Sequence, residues 1–222
     1  MGRFDNTNVT VTGAAGALGL AVASAFEAEG AVVAGIDVIH AETSFDLHQA
    51  DLTDPADAKR VVQDIGRIDV LANIAGGFTM GDSVANTSDE TWDFMYNLNA
   101  RTVFNMIRAV VPQMSERRAG KIVNIGARNG LVGIPNMAAY SASKSVVIRL
   151  TESLAEELKA LNVNVNCILP SIIDTPRNRE DMPKADFSAW VTPDAMARVV
   201  LFLASREADP IHGAALPVTG LA

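Results

Sequence analysis

A single cysteine, Cys167, stands in 222 residues, leaving no partner for an internal disulfide and no cluster of soft metal ligands. It lies inside the apolar run from Val163 to Leu169, where a buried structural thiol is expected. Histidine is scarce as well. His40, His48 and His212 are scattered, and surface or loop positions suit them better than a ligand set, so no metal is expected. Basic residues fall short of acidic ones, 18 against 26, and no basic run exceeds Arg117-Arg118. The resulting net charge of −8 argues against nucleic acid and anionic membranes as partners. No apolar stretch approaches the ~20 residues that cross a bilayer. The opening Met1-Gly2-Arg3-Phe4-Asp5-Asn6 lacks the apolar core of a secretion signal. A cytoplasmic protein acting on a small molecule is the expectation.

What is abundant is aliphatic. Hydrophobic residues make up 49% of the chain, enough for a large core around a buried sheet. The length suits one α/β domain over residues 1–222, without a separate catalytic domain. Val9 to Thr12 reads as a strand that runs into Gly13-Ala14-Ala15-Gly16-Ala17-Leu18-Gly19, and a helix pattern follows through Phe26 to Gly30. Strand, glycine turn and helix together form the context in which a pyrophosphate meets backbone amides and a helix N-terminus. Ala31 to Asp37 reads as a second strand with a carboxylate at its C-terminal end. Such an acid accepts from ribose hydroxyls and repels a 2′-phosphate, so NAD(H) is preferred over NADP(H).

Further strands are expected at 44–49, 68–73, 121–125, 163–169 and 214–218. Helices are expected at about 54–65, 88–117, 138–161 and 192–204. The alternation gives a doubly wound parallel sheet of about seven strands, a single Rossmann-type domain with helices on both faces. Residues 171–190, rich in charge and punctuated by proline, fall after a strand's C-terminal end, where a substrate lid belongs.

Tyr140 and Lys144 are four positions apart, on one face of a helix. A tyrosine titrates near ~10, and a neighbouring ammonium should pull it toward the working range of a general acid.

With these motifs in order, the chain resembles the short-chain dehydrogenase/reductase family over nearly its whole length. Thr12-Gly13-x-x-x-Ala17-x-Gly19 looks like the family's cofactor loop, and Asn73-Ile74-Ala75-Gly76 its Asn-Asn-Ala-Gly turn with one change. The resemblance implies that Gly13, Gly16, Ala17, Leu18, Gly19 and Asp37 hold the dinucleotide, with Asp51 and Leu52 at the adenine. Asn73, Ala75, Gly76, Pro170 and Thr175 would complete the cofactor site, joined by Tyr140 and Lys144. It implies catalytic roles for Tyr140, Lys144 and Asn99, the last holding a proton-relay water. In the family two helices pair across a two-fold axis, so a homodimer or homotetramer is expected from the helices at 88–117 and 138–161.

One position departs. Thirteen residues before the tyrosine the family carries a serine; here it is Ala127. Quinonoid dihydropteridine reductases, a divergent branch, share this alanine and a lid resembling Asp174-Thr175-Pro176-Arg177-Asn178-Arg179 through Trp190. Phe78, where they carry tryptophan, fits less well. The first expectation is therefore an NADH-dependent reductase of a conjugated substrate such as a quinonoid dihydropterin, with Tyr140 as proton donor and Ala127, Phe78 and Trp190 near the substrate. The alternatives are a carbonyl or alcohol dehydrogenase, with water, Arg128 or Asn129 replacing the serine, and a non-catalytic NAD-binding regulator. Trp190 is read equally as an anchor of the lid, and Arg177 and Arg179 as solvated charges or partners of an anionic substrate.

Overall fold

The structure is a computed structural model and describes residues 2–222. Seven parallel strands form one sheet in the order β3-β2-β1-β4-β5-β6-β7. They are β1 (Asn8–Thr12), β2 (Val32–Asp37), β3 (Asp46–Gln49), β4 (Val70–Asn73), β5 (Gly120–Ile125), β6 (Val163–Pro170) and β7 (Ala215–Val218). Every residue of β4 and β6 is buried, as expected of central strands covered on both faces. Helices α1 (Ala17–Ala28) and α7 (Pro193–Ala204) cover one face, where Val22, Phe26, Met196 and Val200 pack on Val11 and Val123. On the other face lie α2 (Pro55–Ile65), α4 (Thr102–Arg117) and α5 (Ala138–Leu158), centred on Leu71, Met106, Ile122 and Val165.

The chain order reverses between β1 and β4, whose registered ends are Thr12 and Asn73. Loops leaving these strands diverge there and open a crevice at the carboxyl edge of the sheet, where α/β proteins bind ligands. Asp54 and Thr192 cap α2 and α7 by accepting from Ala56 N–H and Ala195 N–H, as their sequence positions predict. Residues 38–45 join β2 to β3 without a helix. Phe45 closes the face instead: its ring packs on Gly35, so tightly that a Cβ there would come within 2.5 Å of it.

Several boundaries differ from the sequence reading. The third strand begins at Asp46, and α5 ends at Leu158 before a short 3-10 turn at Lys159–Leu161. The helix expected at 88–117 is present but not α-helical throughout. It is α3 (Asp89–Tyr96), a π-helical turn at Asn97–Arg101, then α4. Such wide turns insert one residue into a helix and mark functional positions, and Asn99 sits inside this one. In the lid, α6 (Pro176–Asp181) is a short helix, and a parallel bridge between Ile173 and Val191 ties the lid's two ends together.

Candidate active site

Three glycines make the floor of the crevice possible. Gly13, at φ +65°, turns the chain out of β1, and a Cβ there would come within 2.9 Å of the Ala75 backbone. Gly19 packs so close to the first turn that a Cβ would lie 2.0 Å from the Gly13 carbonyl oxygen. Gly16 starts α1 with no side-chain cap, which leaves the first-turn amides, those of Ala17, Leu18 and Gly19, free for an anion. Asp37, half-buried at the end of β2, accepts from Ala15 N–H at 3.0 Å and Ile39 N–H at 3.3 Å. Across the switch point, the Thr12 hydroxyl accepts from the N–H groups of Ile74 and Ala75, both at 3.0 Å. That contact braces the glycine loop against the turn after β4.

Asp51 accepts from the N–H and hydroxyl of Thr53 and stays exposed, while Leu52 beside it is buried. Asn73 is fully buried and donates to Asn124 Oδ1 at 2.8 Å; Asn124 in turn donates to Thr151. This chain locks β4, β5 and α5 together beneath the site. Pro170 ends β6 in register with Val218, and Thr175 caps α6 by accepting from Asn178 N–H. An extended dinucleotide fits this cradle: its space is cleared of Cβ atoms, its first-turn amides are unspent, and the Asp37 carboxylate stands beside the glycine loop.

Above the floor stand the reactive groups. The Lys144 ammonium is only 4% exposed and donates to the Ile125 carbonyl at 2.9 Å. Burial pushes its pKa down to about 8. Burial likewise pushes Tyr140 up to about 12. Here the sequence expectation is overturned: burial, and not Lys144, sets the direction of the Tyr140 shift. Spacing put the two on one face, but the ammonium is turned to a backbone carbonyl, and desolvation decides both pKa values.

Asn99, held in the π turn, is bracketed by Gly77, whose N–H it accepts and whose carbonyl it donates to, each at 3.0 Å. Its amide also reaches Ser143 Oγ at 3.2 Å, and Ser143 donates to the Tyr140 carbonyl at 2.7 Å. Gly76 is where these groups crowd the backbone most closely. A Cβ there would lie 2.8 Å from Asn99 Oδ1 and 3.2 Å from Lys144 Nζ. Gly76→Ala is expected to lose about 1–3 kcal/mol of stability through overpacking and to lower both turnover and dinucleotide affinity. Thermal melting and NADH titration check it; a variant with wild-type values for both would show that the neighbours yield to a side chain there.

The three candidate substrate residues lie in different surroundings. Ala127 is buried at the end of β5. Phe78 is 42% exposed and meets the Tyr140 ring edge-on, centroids 5.0 Å apart. Trp190 is not a rim residue. It is 7% exposed and packs on Phe187 at 4.8 Å beside the zipped base of the lid, so it takes the anchoring role. Arg179 is committed within the lid, with Nη2 at 2.7 Å from Asp174 Oδ2 and its guanidinium over Phe187. Arg177 points to Asp181 at 3.8 Å. His48 pairs with Asp46 at 3.2 Å on the outer strand, a carboxylate partner the sequence did not suggest. No group of three or more potential metal ligands occurs among the described residues. No helix among them is long and apolar enough to cross a membrane.

Sequence reasoning missed Ser143, Gly77 and the Ile125 carbonyl. Ser143 lay within the Tyr140–Lys144 segment; the backbone groups carry no side-chain signal at all.

Residues 7–186 match the family model described as short chain dehydrogenase. Over 242 aligned positions the chain is 35% identical to the 3-oxoacyl-(acyl-carrier-protein) reductase of Thermotoga maritima, covering 98% of each. It is 31% identical to dehydrogenase/reductase SDR family member 6 of Aquarana catesbeiana, over 99% of this chain and 98% of that one. A solved 3-oxoacyl-(acyl-carrier-protein) reductase from Brucella melitensis with bound NAD superposes with a TM-score of 0.87 at 29% identity, covering 98% of this chain and 91% of that one. With its nucleotide cradle, its Tyr140–Lys144–Asn99 cluster and these relatives, the chain belongs to the short-chain dehydrogenase family and is an oxidoreductase that uses a nicotinamide cofactor.

Proposed function

We propose that this enzyme reduces a carbonyl compound with NADH, Tyr140 donating the proton. The observation that carries this reading is Tyr140 itself, partly buried, protonated at neutral pH, and edge-on to the exposed ring of Phe78. The bound nicotinamide supplies the hydride. Tyr140 holds the proton that the substrate oxygen will need. Lys144 fixes a positive charge one helical turn away, Asn99 props the Gly77 backbone, and Phe78 walls the approach. The names of the relatives weigh toward ketone or alcohol substrates over the pterin first expected, since one that is 35% identical is a 3-oxoacyl reductase. A conjugated ring such as a quinonoid dihydropterin is the second reading. It is favoured by the methyl group of Ala127 in place of a hydroxyl and by the aromatic wall at Phe78.

A panel of ketones, quinones and quinonoid pterins, assayed by NADH oxidation, separates the two. Turnover of ketones supports the first reading; turnover of quinonoid rings alone supports the second. A chain that binds NADH and turns over none of them would be a regulator.

The proposed preference for NAD(H) rests on Asp37. Repulsion between its carboxylate and a 2′-phosphate about 4 Å away costs roughly 1–4 kcal/mol. NADH is therefore expected to exceed NADPH in kcat/KM by about ten-fold to several hundred-fold, and Asp37→Ala to narrow the gap. Equal use of the two cofactors by the wild type would show that Asp37 does not face the ribose. A second copy of the chain is proposed as partner, supported by Trp92, Phe94 and Phe104 left exposed on α3 and α4.

A further inference from the structure

Carbonyl reduction builds negative charge on the substrate oxygen, and a fixed donor beside the proton-giving tyrosine stabilises it. Ala127 offers none. Of the other side-chain donors near Tyr140, the Ser141 hydroxyl is buried without a partner but projects about 100° round the helix from Tyr140, and the rest are engaged. Asn99 donates to Gly77 O and Ser143, Lys144 to Ile125 O, and Ser143 to Tyr140 O. Arg128, next in sequence to Ala127, is exposed and turns away to the Ala222 carbonyl at 3.4 Å. Asn129 is different. It is half-buried, and its Nδ2 rests 3.5 Å from the sulfur of Met137, a weak acceptor that leaves the donor nearly unspent.

Its position is fixed from two sides. Gly130 N–H donates to Ala127 O at 2.9 Å, so Asn129 belongs to the same tight turn as Ala127. A Cβ on Gly130 would sit 3.0 Å from the Lys144 carbonyl carbon, so that turn is clamped against α5. Met137 is the N-cap of α5 and Tyr140 lies three residues on, on the same face of the first turn.

We propose that Asn129 is the second donor of this site and takes over the task of a hydroxyl at position 127. The inference rests on the carbonyl-reductase reading. When a ketone is bound, the carboxamide leaves the Met137 sulfur and points Nδ2–H at the substrate oxygen. As hydride reaches the carbonyl carbon, the π pair moves onto oxygen, and Tyr140 delivers its proton there. Asn129 holds that oxygen throughout and gives up no proton.

The test uses the ketone that the wild type reduces best. Asn129→Ala is expected to lower kcat about 10- to 100-fold, with KM, NADH affinity and melting temperature little changed. The near-isosteric Asn129→Asp, which replaces the donor by a like charge, should fall further. Adding Ala127→Ser to Asn129→Ala should recover much of the lost rate, and recover more than the same change adds to the wild type. A merely structural role would lower melting temperature or raise KM and would not be rescued by Ala127→Ser. If the wild type reduces ketones and Asn129→Ala stays within about two-fold of it, the inference fails while the carbonyl reading stands. If the wild type reduces quinonoid rings and no ketone, the carbonyl reading fails and takes the inference with it.

Discussion

Tyr140→Phe is expected to lower the rate of reduction by roughly 10²–10⁴, the range over which positioned general acids act, while the protein still folds and binds NADH. The ring stays, so its edge-on contact with Phe78 stays, and the only thing removed is the hydroxyl. Because burial holds Tyr140 up to about 12, its proton is present across the whole neutral range. The donor is therefore ready for reduction. Oxidation needs the phenolate instead, so the alcohol-to-ketone rate of the wild type should climb with pH while the reductive rate shows no rise. Stopped-flow NADH oxidation, NADH fluorescence titration and thermal melting check the variant together. Near-normal turnover in Tyr140→Phe would move the proton donor elsewhere and remove the central support of the proposed function.

The sheet was legible because central parallel strands carry an unmistakable pattern. Val70-Leu71-Ala72 and the run from Val163 to Leu169 are short, rich in β-branched residues and mostly apolar, which suits strands covered on both faces. The cofactor loop was legible because glycine is required there by space, as the 2.0 Å approach at Gly19 shows. The π turn within the helix at 88–117 was not legible. Met95, Asn99, Val103, Met106 and Val110 keep a helical spacing straight through the π turn, so apolar periodicity gives no sign of it. A buried asparagine on that face was the one trace. The lid's anchor was half legible: Trp190 was an obvious large residue, but whether it faced substrate or core depended on the Ile173–Val191 bridge, a contact between segments eighteen residues apart.

The pKa pattern was illegible for a plainer reason. Sequence spacing reports which face a side chain occupies and says nothing of how deep it lies or which carbonyl it finds. Both Tyr140 and Lys144 are governed by depth.

That depth gives Lys144 a cost to the fold. Its pKa falls from 10.5 to about 8 on folding, a difference worth about 3 kcal/mol. The sign follows from proton counting. Below pH 8 both folded and unfolded chains hold the proton, and the full penalty is present. Between about 8 and 10.5 the unfolded chain holds more protons than the folded one, so wild-type stability from this group rises with pH. Lys144→Met keeps the length and apolar stem, removes the charge, and gives up the charge-assisted hydrogen bond to Ile125 O, worth roughly 1.5–3 kcal/mol. The variant is therefore expected to be at least as stable as the wild type at pH 7, by up to about 1.5 kcal/mol, a rise of at most a few degrees for a chain of this size. Its advantage should shrink as pH is raised from 8 toward 10. Turnover should fall by about 10² or more, since the charge near the transferred proton is gone. Melting curves at pH 7, 8.5 and 10, paired with steady-state rates, would show this opposition of stability and activity. A Lys144→Met chain that melts below the wild type at every pH would mean the ammonium is a structural asset, held by its carbonyl more strongly than burial opposes it.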